Sequence, residues 1–216
     1  MEALRPAALL VGALLAACAP TGPTEGAALR PGVAVATFVA RTAGGEPFEV
    51  DVFFPADGER PSGEAHPALV LLPGGLVRRE RYGWLGVELA ARGFVVAVPE
   101  PPYRLAILDP NRVEATAALL RSGRGLLAGL VGERIAVAGH SLGGVVATAA
   151  ALRGGFSALV LLASYPAEGD PVERLAVPSL SLAGERDCEA VQADVRAGWQ
   201  RLPAPTALAV LSGVTH

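Results

Sequence analysis

The feature that most constrains this chain is a strand, turn and helix pattern at residues 135–150, which read Ile-Ala-Val-Ala-Gly-His-Ser-Leu-Gly-Gly-Val-Val-Ala-Thr-Ala-Ala. An apolar strand enters a Gly-x-Ser-x-Gly turn, and a helix of small residues follows. Gly139 and Gly143 allow a sharp turn that holds the Ser141 hydroxyl exposed. Because the helix directs its first N–H groups at the same place, we predict that Ser141 is a nucleophile and the Leu142 N–H an oxyanion donor. The alternative is a structural turn with an idle serine.

Three segments resemble the α/β-hydrolase superfamily: Leu-Leu-Pro-Gly-Gly at 71–75, Leu-Ala-Ala-Arg-Gly-Phe-Val-Val-Ala-Val at 89–98 and Gly-His-Ser-Leu-Gly-Gly at 139–144. Within it they are similar to secreted, cap-less serine esterases, which include cutinase-like polyester hydrolases, dienelactone-hydrolase-like proteins, and platelet-activating-factor acetylhydrolase and chlorophyllase relatives. The resemblance covers residues 33–216. It implies an α/β fold with a mostly parallel central sheet, helices on both faces, and cleavage of small-molecule or polymeric carboxylic esters through an acyl-serine.

Composition limits the other functions that are open to the chain. Its 216 residues, of which 51% are hydrophobic, are enough for one domain with a sizeable core. The net charge of −3, without a long basic run, gives no electrostatic footprint for nucleic-acid binding. The sequence has neither a clustered His/Cys ligand set nor a phosphate-binding loop, so we expect no metal and no cofactor.

The first residues predict export. Residues 1–17 are predicted to be a signal peptide and not a transmembrane helix, because their apolar stretch is too short to span a bilayer core of about 30 Å. They end in Leu-Ala-Ala before Cys18, which resembles the lipobox of bacterial lipoproteins and implies lipidation of Cys18. Residues 18–32 would then be a lipid anchor and flexible tether, and residues 33–216 the catalytic domain. The implied location is the bacterial cell envelope, facing the periplasm or the exterior; the alternative is an ordinary cleavage site with an incidental cysteine.

Apolar patterning predicts the elements of the domain. Strands are expected at Val33–Ala40, Phe48–Phe54, Ala68–Leu72, Phe94–Val98, from Ile135, Ala158–Leu162, Ser179–Ala183 and Thr206–Leu211. Helices are expected over 82–92, 113–122, 142–153 and 188–201. The first two strands should form an antiparallel hairpin. The segment 163–178 is too short for the helical cap that many relatives insert there.

The loop Pro73-Gly74-Gly75-Leu76 follows a buried parallel strand at its carboxyl end, where open α/β sheets bind ligands. By the resemblance, the Gly75 N–H would be the second oxyanion donor, with Leu76 as the alternative one residue later. The alternative is that these residues form an ordinary turn with no role in catalysis. A second loop, 99–111, lies at the same edge and either lines an acyl pocket or packs within itself; its apolar side chains are Tyr103, Leu105, Ile107 and Leu108.

Three histidines limit the choice of a base. His140 adjoins the serine and is expected to point elsewhere, and His66 precedes the oxyanion-loop strand. His216 follows the last strand, and the chain order Ser, Asp, His is the order that this superfamily uses. We therefore predict that His216 takes the Ser141 proton and returns it to the leaving alcohol.

The acid should follow the strand Ser179–Ala183, where the loop 184–187 carries two carboxylates. We expect Asp187 to orient the imidazole, because its short side chain gives a well-fixed hydrogen bond to Nδ1. Glu185 is the first alternative and Asp170 the second. Capping of the next helix is the structural reading of Asp187.

Two matters stay open at this level. Relatives place a helix after the histidine loop, whereas this sequence stops at His216, so we expect the C-terminal helix to be missing, either naturally or through truncation. The chain could also be a non-catalytic lipoprotein that binds through the same fold, which an absent contact between His216 and Ser141 would favour. The same residues could also act on lactones, amides or polyesters.

Overall fold

A computed structural model of the chain describes residues 30–58 and 60–216. The strands of this part are Val33–Arg41 (β1), Pro47–Asp57 (β2), Arg60–Pro61 (β3), His66–Leu72 (β4), Val95–Pro99 (β5), Val131–His140 (β6), Leu159–Leu162 (β7), Ser179–Gly184 (β8) and Thr206–Leu211 (β9). The α-helices are Gly83–Ala90 (α1), Asn111–Arg121 (α2), Leu142–Arg153 (α3) and Gln192–Gln200 (α4). The predicted signal peptide, Cys18 and most of the predicted tether lie outside the described residues.

The described strands form a single mixed sheet. Its order is β1-β2-β5-β4-β6-β7-β8-β9, and the short β3 pairs with β2. The β1–β2 and β2–β5 pairs are antiparallel. Every neighbouring pair along the order from β5 to β9 is parallel. The predicted opening hairpin and the mostly parallel α/β sheet are confirmed.

Helices cover both faces of this sheet, because its strands are buried on both sides. Along β4, Val70 and Leu72 belong to the core that α2 and α3 cover, and Leu71 belongs to a second core with α1. A nearly continuous apolar run is typical of a parallel strand of this kind. The α/β-hydrolase arrangement is therefore present in the described residues.

The parallel strands bring their carboxyl ends to one edge of the sheet. The loop 73–76, which is the predicted oxyanion loop, follows β4, the loop 99–111 begins at the end of β5, and Ser141 follows β6. The segment 163–178 between β7 and β8 contains only a short 3-10 turn, Val172–Arg174, which agrees with the expected lack of a cap. The edge therefore carries short loops.

Two elements begin four residues away from their predicted starts. β6 begins at Val131, because Val131 pairs with His66 ahead of a shift in register. α4 begins at Gln192 and not at 188, because the backbone after Asp187 first turns around that carboxylate. No described helix is long and apolar enough to cross a membrane.

Candidate active site

Ser141 occupies a strained turn between β6 and α3. Its φ is +50° and its ψ −124°, a backbone conformation that residues other than glycine rarely adopt and that costs about 1–3 kcal/mol. A Cβ on Gly139 would lie 2.2 Å from the carbonyl carbon of Gly143, and a Cβ on Gly143 would lie 2.5 Å from the Pro73 carbonyl oxygen, so the turn fits only because both residues lack side chains. The Ser141 N–H donates to the Leu162 carbonyl (2.9 Å), and the buried Ser164 hydroxyl donates to the Ser141 carbonyl (2.7 Å). The turn is thus held by neighbouring backbone.

The oxyanion loop lies directly against this turn. A Cβ on Gly75 would meet the Leu142 side chain at 3.4 Å. The Gly74 N–H donates to the Tyr82 hydroxyl (2.7 Å), and the Leu76 N–H donates to the Arg104 carbonyl (2.7 Å). Among the described residues, no acceptor takes the N–H of Gly75 or of Leu142. Of the two alternatives in this loop, it is Gly75 whose donor remains open.

Asp187 and His216 lie together. The His216 Nδ1 is 3.0 Å from Oδ1 and 2.9 Å from Oδ2 of Asp187, whose side chain has no exposure. Asp187 Oδ1 also accepts the N–H groups of Glu189 (2.9 Å) and Ala190 (2.8 Å). The carboxylate therefore has two roles: it orients the imidazole, and it holds the backbone turn that precedes α4.

The other candidate acids face different groups. Glu185 Oε2 accepts the Ser212 hydroxyl (2.7 Å) and the Gly213 N–H (2.8 Å), and these bonds lower the pKa of its exposed carboxyl. Asp170 Oδ2 accepts the Ala167 N–H (3.0 Å). In the part of the chain that the structure describes, neither carboxylate bonds to His216.

The loops that carry the acid and the histidine are joined through their backbones. The Arg186 N–H donates to the Val214 carbonyl (2.9 Å). A Cβ on Gly184 would lie 2.6 Å from the same oxygen, so a glycine at the end of β8 is what lets the last loop approach. These contacts fix the position of His216 relative to Asp187.

The free nitrogen of His216 does not reach Ser141. Its Nε2 lies 3.5 Å from Oε2 of Glu189, a residue that sequence reasoning did not single out. Within residues 30–58 and 60–216, no hydrogen bond joins the Ser141 hydroxyl to His216. The ring of His216 does lie near the turn, since its centroid is 4.7 Å from that of His140, the residue before Ser141.

His140 belongs to the site, and the expectation that it points elsewhere was wrong. Its Nδ1 lies 2.9 Å from the Tyr82 hydroxyl, and its ring contacts that of His216. Burial, and then the charge of His216, lower the pKa of His140 to about 4, although Asp187 opposes the shift. Burial raises the pKa of Tyr82 to about 12. Neither residue carries a local sequence signal, because their contact joins positions 58 residues apart.

His66 has a structural role at the other end of β4. Its Nδ1 donates to the Gly93 carbonyl (3.1 Å), which leaves Nε2 to accept the Ser62 hydroxyl (2.6 Å). Both ring nitrogens are thus satisfied.

The rim of the site is apolar and exposed. Leu76, Tyr103, Ile107 and Leu108 are each at least half exposed. Tyr103 also borders a shallow cleft of about 410 Å³, whose lining includes Phe48, Glu100 and Arg112. None of the candidate site residues lines that cleft. The polar groups instead converge around His140 and His216.

The comparisons with known proteins agree with this fold. A family model described as "Alpha/beta hydrolase family" matches residues 68–216, so the chain belongs to the alpha/beta hydrolase family, whose members are hydrolases as a class. Among solved structures, the chain is similar to the crystal structure of hypothetical protein PA2218 from Pseudomonas aeruginosa, with a TM-score of 0.73, 14% identity, and 92% of each chain covered. At that identity the likeness shows the fold alone. No curated protein matches the chain.

The lowered pKa of His140 predicts a pH-dependent stability. As pH falls from 6.5 to about 4, the unfolded chain takes up a proton at His140 that the folded chain does not, so the folded state loses up to about 3 kcal/mol. We expect His140→Asn to remove this part of the loss. Urea unfolding at pH 7 and pH 4.5 measures it, and His66→Asn is the matched histidine control. An unchanged difference between the two pH values in His140→Asn would contradict the prediction.

Proposed function

We propose that this chain is a serine hydrolase of carboxylic esters, with Ser141 as nucleophile, His216 as base and Asp187 as the acid that orients it. The observation that carries the proposal is the contact of the buried Asp187 carboxylate with His216, whose imidazole lies against the residue that precedes a strained, half-buried serine turn. This combination of a nucleophile turn, a base and an orienting carboxylate is the requirement for acyl transfer.

The residues act in two half-reactions. Ser141 Oγ attacks the ester carbonyl carbon while His216 Nε2 takes the hydroxyl proton, and Asp187 accepts the Nδ1–H. The carbonyl oxygen becomes an oxyanion, which the open N–H groups of Gly75 and Leu142 bind. The C–O bond then breaks, His216 returns the proton to the leaving alcohol, and the acyl group stays on Ser141. Water then attacks the acyl carbonyl carbon while His216 takes its proton. The bond from that carbon to Ser141 Oγ breaks, His216 returns the proton to Oγ, and the acid is released.

One movement is required before attack. The His216 Nε2 faces Glu189 and must turn toward Ser141. Hydrogen bonds of catalytic groups are often long without substrate and shorten when substrate binds. Asp187 contacts the other nitrogen through both of its oxygens, so it can hold Nδ1 while the ring swings.

The open edge favours large or surface-bound esters. The segment 163–178 has only a 3-10 turn and builds no cap, and the exposed rim side chains are apolar. Activity toward short p-nitrophenyl esters, the matching amides, lactones and polyester film separates the ester proposal from other acyl chemistry. Preferred cleavage of amides or lactones would overturn it.

A second candidate is a non-catalytic binding protein with the same fold. The observation that favours it is the lack, among the described residues, of a hydrogen bond between Ser141 and His216. A binding protein has no need to activate Ser141, so the reactivity of that hydroxyl distinguishes the two candidates.

We further propose that lipidation of Cys18 holds the domain at a bacterial membrane. A disulfide with Cys188, the other cysteine of the chain, is the alternative use of the same sulfur in an oxidising compartment. We expect the full chain, expressed in bacteria with an alkyne-tagged fatty acid, to be labelled and to partition into detergent. Cys18→Ser should lose both properties. An unlabelled wild type with a Cys18–Cys188 disulfide would contradict this.

The first prediction for catalysis concerns Ser141 itself. A fluorophosphonate probe should label the full chain, because only an activated serine reacts with it at a useful rate. Ser141→Ala should abolish labelling, and His216→Ala should slow it by about 10³-fold or more. Ser122→Ala, at the exposed end of α2, leaves the nucleophile and its turn intact and serves as the matched serine control. Absence of labelling in a folded wild-type chain would sink the enzyme proposal and support the binding protein.

The second concerns the choice of acid. Asp187→Asn should lower kcat by about 10³- to 10⁴-fold, because the amide no longer stabilises the protonated imidazole. Glu185→Gln is the matched control, and it should stay within about 3-fold of wild type because its contacts are to Ser212 and Gly213. Ester hydrolysis rates under saturating substrate give the comparison. A larger loss in the Glu185 variant would exchange the two roles.

A further inference from the structure

Tyr82 joins the two backbone segments of the proposed oxyanion hole. Its hydroxyl lies 2.7 Å from the Gly74 nitrogen and 2.9 Å from His140 Nδ1. Gly74 directly precedes Gly75, and His140 lies two residues before Leu142. One buried hydroxyl therefore bridges the loops on which both open N–H donors are carried.

The protons at this bridge can be assigned. A backbone N–H only donates, so the Tyr82 oxygen accepts from Gly74. Its own proton is then directed to His140 Nδ1, since no other acceptor lies within reach in the described part of the chain. Nδ1 must be unprotonated to accept it, which places the proton of neutral His140 on Nε2.

The surroundings support this assignment. Tyr82 is 7% exposed, and its raised pKa keeps the phenol protonated at neutral pH. The groups that face His140 are Tyr82, His216 and Asp187, and the lowered pKa of His140 keeps its ring neutral.

The oxyanion loop is held on both sides of its open donor. Gly74 is bound by Tyr82, Leu76 is bound by the Arg104 carbonyl, and the Gly75 N–H between them stays open. The loop fits closely against the bridge, because a Cβ on Gly74 would lie 2.8 Å from His140 Nδ1 and 3.2 Å from the Tyr82 oxygen. The hydroxyl thus sets how far Gly75 lies from the turn at Ser141.

Tyr82 is itself anchored from outside the site. It ends the 3-10 turn Arg79–Tyr82, and the largely buried Arg79 guanidinium bonds to Asp51 on β2 (2.9 Å) and Glu100 after β5 (3.3 Å). The phenol therefore projects from a turn that is fixed to two strands.

We propose that the Tyr82 hydroxyl is a positioning group for catalysis, which rests on the function proposed above: it holds the Gly75 and Leu142 donors at the spacing of an oxyanion and fixes His140 as its Nε2–H tautomer. Oxyanion donors must lie about 2.7–3.1 Å from the developing charge, and a misplacement of about 1 Å costs roughly 100-fold in rate. The bridge acts on the transition state and leaves substrate binding nearly unchanged.

The test compares Tyr82→Phe with Tyr165→Phe. Tyr165 is a matched control because its hydroxyl makes no hydrogen bond among the described residues. We expect Tyr82→Phe to lower kcat for a p-nitrophenyl ester by about 10- to 100-fold and to change KM by less than about 3-fold. ¹⁵N NMR of the imidazole nitrogens should show Nε2–H for His140 in wild type and a shift toward Nδ1–H in the variant.

A second pair of variants tests the same hydrogen bond if Tyr82→Phe folds poorly. His140→Asn keeps an acceptor near the Nδ1 position, whereas His140→Leu removes it at similar volume. We expect the Asn variant to keep several-fold more of the kcat than the Leu variant.

The outcomes separate this inference from the proposed function. A wild-type chain without fluorophosphonate labelling or esterase activity overturns both. A reactive wild type, with Tyr82→Phe within 2-fold in kcat and the same His140 tautomer, overturns the role of Tyr82 alone. Equal activity of the two His140 variants does the same.

Discussion

The strained turn at Ser141 is the constraint on which the site depends. A side chain at φ +50° persists only where its surroundings determine the backbone. Here the determinants come from three places: the Leu162 carbonyl on β7, the Ser164 hydroxyl after β7, and the contact of Gly139 with Gly143. The turn therefore presupposes the parallel pairing of β6 with β7, and the position of Ser141 is a property of the sheet.

The same pairing decides where the base arrives. Neighbouring strands lie about 4.8 Å apart, so the loops after β8 and β9 must return across the end of β7 to reach the turn. The contact between the rings of His216 and His140 shows that they do. Asp187 supports that return with three hydrogen bonds, two to backbone N–H groups and one to the imidazole. A buried carboxylate with these partners is a fixed point for a ring that has to move.

Two imidazoles lie close together here, and their partners differ. His216 contacts the carboxylates of Asp187 and Glu189. His140 instead accepts from a phenol and lies in a buried position that disfavours charge. On the exposed side of the site, apolar side chains of the loops after β4 and β5 form the rim. Polar groups therefore converge below an apolar surface.

The local pattern of the sequence was enough for the turn at Ser141, for the helix Leu142–Arg153 and for the strand Thr206–Leu211, all of which the structure places where they were predicted. Apolar periodicity and glycine spacing act over a few residues, so these features, and the order of strands and helices, follow from the sequence by itself. Only the tertiary structure decided that Asp187 and not Glu185 contacts His216, that the Gly75 N–H stays open, and that Tyr82 and His140 meet. Those outcomes rest on contacts between residues 29 or 58 positions apart, and such contacts depend on which strands pair and how closely their loops approach.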